Sequence, residues 1–417
     1  MGAHQDVPGL VRLARIPAHE RQDLLAAASA TLASASDPLA AVSGLRRQYP
    51  DWDPDLCSAV VAQCELIASG TKRGLIPPDS RILATAVGLE QASRPEVSAR
   101  RARMLATTGV RSVVDASAGI GMDTCAFVEA GLEVAAIELD PVTAQVCAAN
   151  VALVSDSVEV TVGDATAPDL LVQIASSLPE PVAVFVDPAR RSGARPTDGS
   201  RARPERDPER WSPPWSFVES LLERFEVVSA KAPGSFTPAN QWSCEWIGVA
   251  DYVAECAVYS RMPDAFESDR QATLLLDGSP TTLPTDPVSG SPDPNPPTGP
   301  LGRFLGEPHP VFHRALDALC AQGARRIHAD SRWITSDDDG ALQIPGVRWY
   351  RVLEVSPIKQ IQDKARAYGI DALAIKCKES RRPISAIRSL VGLPDGDRYC
   401  VVLTSGRSDA ILVERIT

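Results

Sequence analysis

Six residues between positions 115 and 164 are of types that hold a small polar ligand: Asp115, Gly119, Gly121, Asp123, Glu138 and Asp164. The stretch VVDASAGIGMD at 113–123 is apolar, ends on Asp115 and then breaks into two glycines. Glycines there remove side chains, so backbone N–H groups and a helix start can face a ligand. A tight turn that only reverses the chain would read the same way. Glu138 ends the next apolar run, 23 residues after Asp115. An acid at that place accepts hydrogen bonds from both hydroxyls of a ribose, or stands as a solvated strand end.

The residues also discriminate between ribose-bearing ligands. A nicotinamide dinucleotide wants a third small residue three places after the second glycine. Here the order is Gly121-Met122-Asp123-Thr124, and an acid is poorly placed for a pyrophosphate. It suits a ligand whose nearby end carries an ammonium and a sulfonium, which describes S-adenosylmethionine. Asp164, in VTVGDAT, either accepts from an adenine amino group or caps the segment that follows. Asp187 and Pro188 end VAVFVD and open DPARR. Asp187 would face a reacting methyl group or cap its loop, and Pro188 fixes the backbone so that a main-chain carbonyl can orient an acceptor amine. Arg190, Arg191, Arg195, Arg201, Arg203, Arg206 and Arg210 follow, against four acids. Guanidinium groups beside a reaction centre grip phosphate, and Arg190 and Arg191 stand first in line.

These residues need a scaffold. Residues 20–90 read as helices, with Asp37-Pro38 and Asp53-Pro54 as starts and Gly70 as a stop. Ser93-Arg94-Pro95-Glu96 reads as a capping box that opens a helix through Met104. From VRSVVD onward, short apolar strands alternate with helices as far as EVVSAKAP. That rhythm predicts an α/β fold with a parallel sheet and helices on both faces. CEWIGV, YVAECAVYS and ATLLLDG read as strands at an antiparallel edge. Residues 277–300 hold eight prolines and read as a linker or loop. PHPVFHRALDALCAQG reads as helical, and residues 348–417 as a small mixed α/β unit.

Composition narrows the class. The 417 residues exceed one ordinary domain, and 44% hydrophobic content supports a real core. No apolar run approaches a membrane helix, and the N-terminus lacks the apolar centre of a signal peptide. Nine cysteines without a C-x-x-C pair point to free thiols in a reducing, cytoplasmic compartment. The net charge is -11, yet residues 348–417 carry 13 Lys/Arg and 8 Asp/Glu. A basic part on an acidic chain is where a nucleic acid would first dock. His309 and His313 have helical i, i+4 spacing, but no acidic partner segment completes a metal site, and Pro310 suits a helix start. Trp211, Trp215 and Trp242 flank the arginine-dense loop, to stack bases or to pack as core.

As a set, DASAGIGMD, AAIELDP, VGDAT and VFVDPAR resemble the ordered motifs of class I S-adenosylmethionine-dependent methyltransferases. GLEQASRPEVSARRARML, DPARR and KAPG, with LGEPHPVFHRALDAL and VSPIKQIQDKARAYGIDALAIK, resemble a bacterial group that carries a C-terminal THUMP-like domain. The resemblance covers roughly residues 80–412. Ala116-Ser117-Ala118 and Lys376-Cys377-Lys378-Glu379 depart from that group's pattern. It implies a Rossmann-like class I methyltransferase sheet over 91–277, a helical N-terminal region over 1–90 and a proline-rich linker over 278–300. A helical connection over 301–347 and a small THUMP-like α/β domain over 348–417 complete it. The implied activity is methylation of RNA, tRNA or rRNA, at a base nitrogen. Methylation at C5 of a pyrimidine is disfavoured, because neither DPAR nor KAPG offers a cysteine nucleophile. A small-molecule methyltransferase and a non-catalytic S-adenosylmethionine-dependent RNA-binding protein are the alternatives.

Overall fold

The structure, a computed structural model, describes residues 7–78, 80–167, 169–190, 204–276, 279–285, 298–377, 383–403 and 409–416. Two compact units divide it, Met1–Cys244 with Cys256–Phe266, and Glu245–Glu255 with Glu267–Thr417.

The first unit begins with four helices, α1 (Val7–Arg15), α2 (Ala18–Ser34), α3 (Pro38–Gln48) and α4 (Pro54–Lys72). Asp37 and Asp53 cap α3 and α4 as their Asp-Pro spacing predicts: Asp37 accepts from Ala40 N, and Asp53 from Asp55 N and Leu56 N. Gly70 does not end α4 but lies inside it, where a side chain would press on Ile76. After α5 (Ala86–Gln91) and α6 (Pro95–Ala106) come β1 (Ser112–Asp115), α7 (Met122–Glu129), β2 (Glu133–Glu138), α8 (Pro141–Val151), β3 (Glu159–Val162), α9 (Leu170–Ala175) and β4 (Val182–Val186). α10 (Trp215–Ser220) and β5 (Val227–Ala232) follow; of the next two strands, β6 (Ser243–Val249) and β7 (Tyr252–Tyr259), the stretch Glu245–Glu255 belongs to the second unit.

Five parallel strands lie in the order β3-β2-β1-β4-β5. β1 pairs on one side with β2 (Val114 opposite Ala135) and on the other with β4 (Val114 opposite Val184). The order therefore reverses between β1 and β4, the place where such sheets open a ligand crevice at their carboxyl ends. The end of β7 then pairs antiparallel with β5, Ser229 opposite Tyr259 and Ala232 opposite Cys256. The N-terminal helices do not form a core of their own. Leu13, Leu45, Val60 and Leu83 share one buried cluster with Ile120 of the glycine loop and Val146 of α8. Asn150 on α8 locks that contact. Its side chain bonds both Leu83 N (2.7 Å) and Leu83 O (2.9 Å) and donates to Ile120 O at 2.8 Å.

In the second unit β8 (Arg270–Leu276) pairs antiparallel with β9 (Ser279–Pro284), so the proline-rich stretch expected as linker begins as a strand. Prolines at 280 and 284 are tolerated there because β9 ends the strand order of its sheet. A seven-stranded sheet is built from β10 (Phe304–Pro308), β11 (Arg325–Arg326), β12 (Ile334–Ser336), β13 (Val347–Pro357), β14 (Ala374–Lys376), β15 (Tyr399–Val402) and β16 (Asp409–Arg415). Their order is β11-β12-β10-β13-β16-β15-β14. The segment 301–347, expected as helical, thus supplies three strands. Its helical content is two short 3-10 turns, Pro310–Arg314 and Asp339–Gln343, and α11 (Leu316–Cys320). β10 pairs with β13, Leu305 opposite Tyr350, so a single sheet takes strands from both sides of residue 348.

Candidate active site

A cleft of about 450 Å³ opens at the carboxyl ends of β1 to β4, within the first unit. Gly119, Asp123, Glu138, Asp164 and Asp187 line it, together with Ser93, Ser117 and Trp211. Each strand delivers its residue by ending at the same edge of the sheet, which is why positions far apart in the chain converge.

Glu138, at the end of β2, is half-buried and accepts from Gly119 N and from Asp140 N, both at 2.9 Å. One carboxylate thereby pins the glycine loop and the start of α8. The two glycines do different work. Gly119 holds φ +55° with no atom within 4 Å of where a side chain would begin, so its backbone conformation and not crowding requires glycine. Gly121 holds φ +86° at the N-cap of α7, and a side chain there would press Cys147 Sγ and Val151 of α8. It packs behind the cleft and is not among the residues that line it.

Asp115 also lies behind the wall. It is fully buried, accepts from Thr124 Oγ1 at 2.6 Å and from Ser117 N at 3.4 Å, and does not line the cleft. Burial pushes its carboxyl up to about 7, with Asp123 adding to the rise. Its position fits a residue that shapes the loop more than one that meets a ligand. Asp123 does line the cleft, but its carboxylate is engaged by the buried guanidinium of Arg101 on α6 and by Ser93 Oγ. Burial works to raise the Asp123 carboxyl, yet Arg101 and Lys231 hold it below the usual carboxylate range. The negative charge expected to face an ammonium group is therefore largely spent within the protein. This also explains why Ser93 caps nothing: α6 has Arg94 at its N-cap with no side-chain cap, and Ser93 turns to the cleft floor.

Asp164 caps its own turn, with Oδ1 accepting from Thr166 N (2.8 Å) and Thr166 Oγ1 (2.7 Å). Both bonds fall on one oxygen, so Oδ2 keeps its lone pairs on a residue that lines the cleft. Asp187 follows β4; its N–H donates to Ser117 Oγ at 2.6 Å, and its Oδ2 accepts from Lys231 Nζ at 2.6 Å. Pro188 is buried and does not line the cleft. Arg190 and its neighbour Ala189 leave the site beside Ser212, which exchanges two backbone bonds with Ala189 (2.8 and 3.0 Å). Arg190 itself does not line the cleft, and Arg191, Arg195, Arg201 and Arg203 lie outside the described residues. Trp211, Trp215 and Trp242 are buried against one another and Phe236, as core more than as stacking platforms.

Arg101, Ser117 and Lys231 are the site residues that the motifs did not single out. Lys231 stands in KAPG, next to last in β5, so its place beside the end of β4 follows once the strand order is known. Arg101 carries no local signal, because a buried arginine on a helix looks like any solvated one.

A parallel sheet with this strand order, an antiparallel edge, flanking helices and a cleft at the reversal is the Rossmann-like fold of class I S-adenosylmethionine-dependent methyltransferases. In keeping with that fold, the chain is similar over 95% of its length, and 99% of the other's, to a proposed methyltransferase of Porphyromonas gingivalis W83 (TM-score 0.67, 18% identity). Two lesser similarities are to an RNA methyltransferase of Salinibacter ruber in complex with S-adenosyl-L-homocysteine and to a proposed class I S-adenosylmethionine-dependent methyltransferase of Listeria monocytogenes. The former covers 40% of this chain and 92% of that one (TM-score 0.24, 18% identity). The latter covers 63% and 90% (TM-score 0.30, 12% identity). No family model matches the chain, and no curated protein does. Among the described residues no helix is long and apolar enough to cross a membrane, and no group of three or more His, Cys, Asp or Glu forms a metal-binding cluster.

Proposed function

We propose that this chain is an S-adenosylmethionine-dependent methyltransferase acting on RNA, tRNA or rRNA, at a base nitrogen. The observation that carries the reading is the convergence of Glu138, Gly119, Asp164 and Asp187 on one cleft at the sheet reversal. The residues fit the cofactor on their own geometry. The glycine loop is open at Gly119, Glu138 stands at the ribose position, and Asp164 keeps an acceptor oxygen for an adenine amino group. When bound, S-adenosylmethionine supplies an electrophilic methyl group on a sulfonium.

The protein's part is alignment and proton handling. Glu138 holds the ribose hydroxyls. Asp187, fixed by Ser117 and Lys231, accepts a hydrogen bond from the acceptor amine and keeps its lone pair on the line of transfer. Lys231 neutralises the carboxylate that it orients. Support for an RNA acceptor is electrostatic: the arginine-dense run starts two residues after Pro188, and residues 348–417 are net basic in an acidic chain. Cytoplasmic residence accords with nine cysteines that are free thiols in the structure.

Incubation with methyl-labelled S-adenosylmethionine and bulk tRNA and rRNA tests this. Label in RNA supports the reading. Label only in small metabolites of an extract would hand the site to the small-molecule alternative.

A further inference from the structure

The second unit holds a cavity of about 480 Å³ that its own residues line throughout. Glu307 on β10 is its charged centre. The carboxylate accepts from Lys376 Nζ at 2.7 Å and Tyr350 Oη at 2.9 Å, with Arg348 at 3.6 Å. Burial alone would raise the Glu307 carboxyl, but Lys376, Tyr350 and Arg348 hold it below the usual range. Arg332 also lines the cavity, and the exposed Asp251 offsets one charge. Three cations thus face two carboxylates.

His309 lines the cavity as a neutral ring. Its Nδ1 accepts from Val311 N at 3.1 Å, so the proton of the neutral ring sits on Nε2. That Nε2 is itself buried, beside the backbone of Val249 and Ala250. The lining also includes the apolar Trp333, Val347 and Pro308 and the exposed Leu276. A pocket lined by Lys376, Arg348 and Arg332 and also by Trp333 and Val347 offers both charge for a phosphate and apolar surface for a flat ring.

We propose that this cavity is a second ligand site, which binds a nucleotide through its phosphate. The site stands independently of the methyltransferase reading, since none of its residues lines the Glu138 cleft. The nucleotide is either free or part of an RNA strand, and the two share the chemistry that the cavity recognises.

Calorimetric titration of the full chain tests it, with S-adenosylhomocysteine saturating the first cleft so that adenine cannot enter there. The probes are AMP, adenosine and a short oligoadenylate carrying a terminal phosphate. AMP should bind at least about 10-fold more tightly than adenosine. Arg348→Ala and Lys376→Gln should each weaken AMP by about 10-fold, with S-adenosylhomocysteine affinity unchanged. The Arg348 side chain is 46% exposed, so its loss should disturb folding less than Lys376→Gln, which removes a closer partner of Glu307. Tighter binding of the oligonucleotide than of AMP assigns the site to RNA, and equal binding assigns it to a free nucleotide. No binding of any probe at millimolar concentration, or affinity indifferent to the phosphate and to both variants, overturns the proposal. The S-adenosylhomocysteine titration on the same samples reads the first cleft separately.

Discussion

Lys231 Nζ sits 2.6 Å from Asp187 Oδ2, joining the ends of β5 and β4 across the floor of the cleft. The pair is mostly buried, and Lys231 also donates to Gln91 O at 3.4 Å. With Arg101 and Asp123 beside it, the floor carries two cations and two carboxylates in alternation. Asp187 is the candidate for orienting the acceptor, and Lys231 is the residue that holds it in place.

The first prediction separates those roles. Asp187→Ala should keep cofactor affinity within a few-fold and lower turnover by about 10²–10⁴. Lys231→Met should lower kcat by about 10–100-fold with little change in KM for the cofactor, and Lys231→Arg should restore part of the rate. The double variant should be little worse than Asp187→Ala alone, because the two act as a unit. Single-turnover rates that add independently would separate Lys231 from the acceptor side.

Cofactor binding is tested at Glu138. Glu138→Ala removes the acceptor of the Gly119 N–H and, on the proposed function, that of the ribose hydroxyls. Affinity for S-adenosylmethionine should fall by about 10–150-fold, equivalent to roughly 1.5–3 kcal/mol. Gly119→Val should do the same through its left-handed backbone, although the space around it is open. Unchanged affinity in both, measured by calorimetry, would remove Glu138 from the site.

Much of this geometry was legible beforehand. The β-α alternation, the glycine pair and the acid at the end of β2 are local patterns, and the strands β1 to β8 formed where their apolar runs predicted. Three things were not legible. Ser93 reads as a cap because Ser-x-x-Glu spacing is a strong local signal, but the buried Arg101 and Asp123 compete for its hydroxyl. The 301–347 segment reads as helical from PHPVFHRALDAL, yet its flanks are drawn into a sheet by long-range pairing with β13. Asp115 reads as a ligand because it ends a strand, while only the fold shows Thr124 closing over it.

Asp115 gives a pH prediction. Its folded carboxyl is raised from 3.8 to about 7 by burial, so between those values the folded chain holds a proton that the unfolded chain has released. Its contribution to stability should therefore fall as pH rises from about 4 to about 7, and stay flat above that. Asp115→Asn keeps the acceptor for Thr124 and removes the titration. The difference in Tm between variant and wild type should grow in favour of the variant across that window. A pH-independent difference would show that Asp115 does not titrate there.

Arg101 is buried against Asp123, with its guanidinium carbon 5.1 Å from the centre of the Phe185 ring. Arg101→Met should destabilise the chain by about 3–5 kcal/mol, because it leaves a buried carboxylate without its partner. Arg101→Met with Asp123→Leu should cost far less than the two single changes together. Urea denaturation of the four proteins measures this, and additive losses would refute a paired charge.

Mass spectrometry of nucleosides from tRNA and rRNA of a deletion strain reads out methyl transfer to a base nitrogen of RNA. One N-methylated nucleoside should be missing, return with the wild-type chain, and stay missing with Asp187→Ala. An unchanged nucleoside profile in the deletion strain would contradict the account.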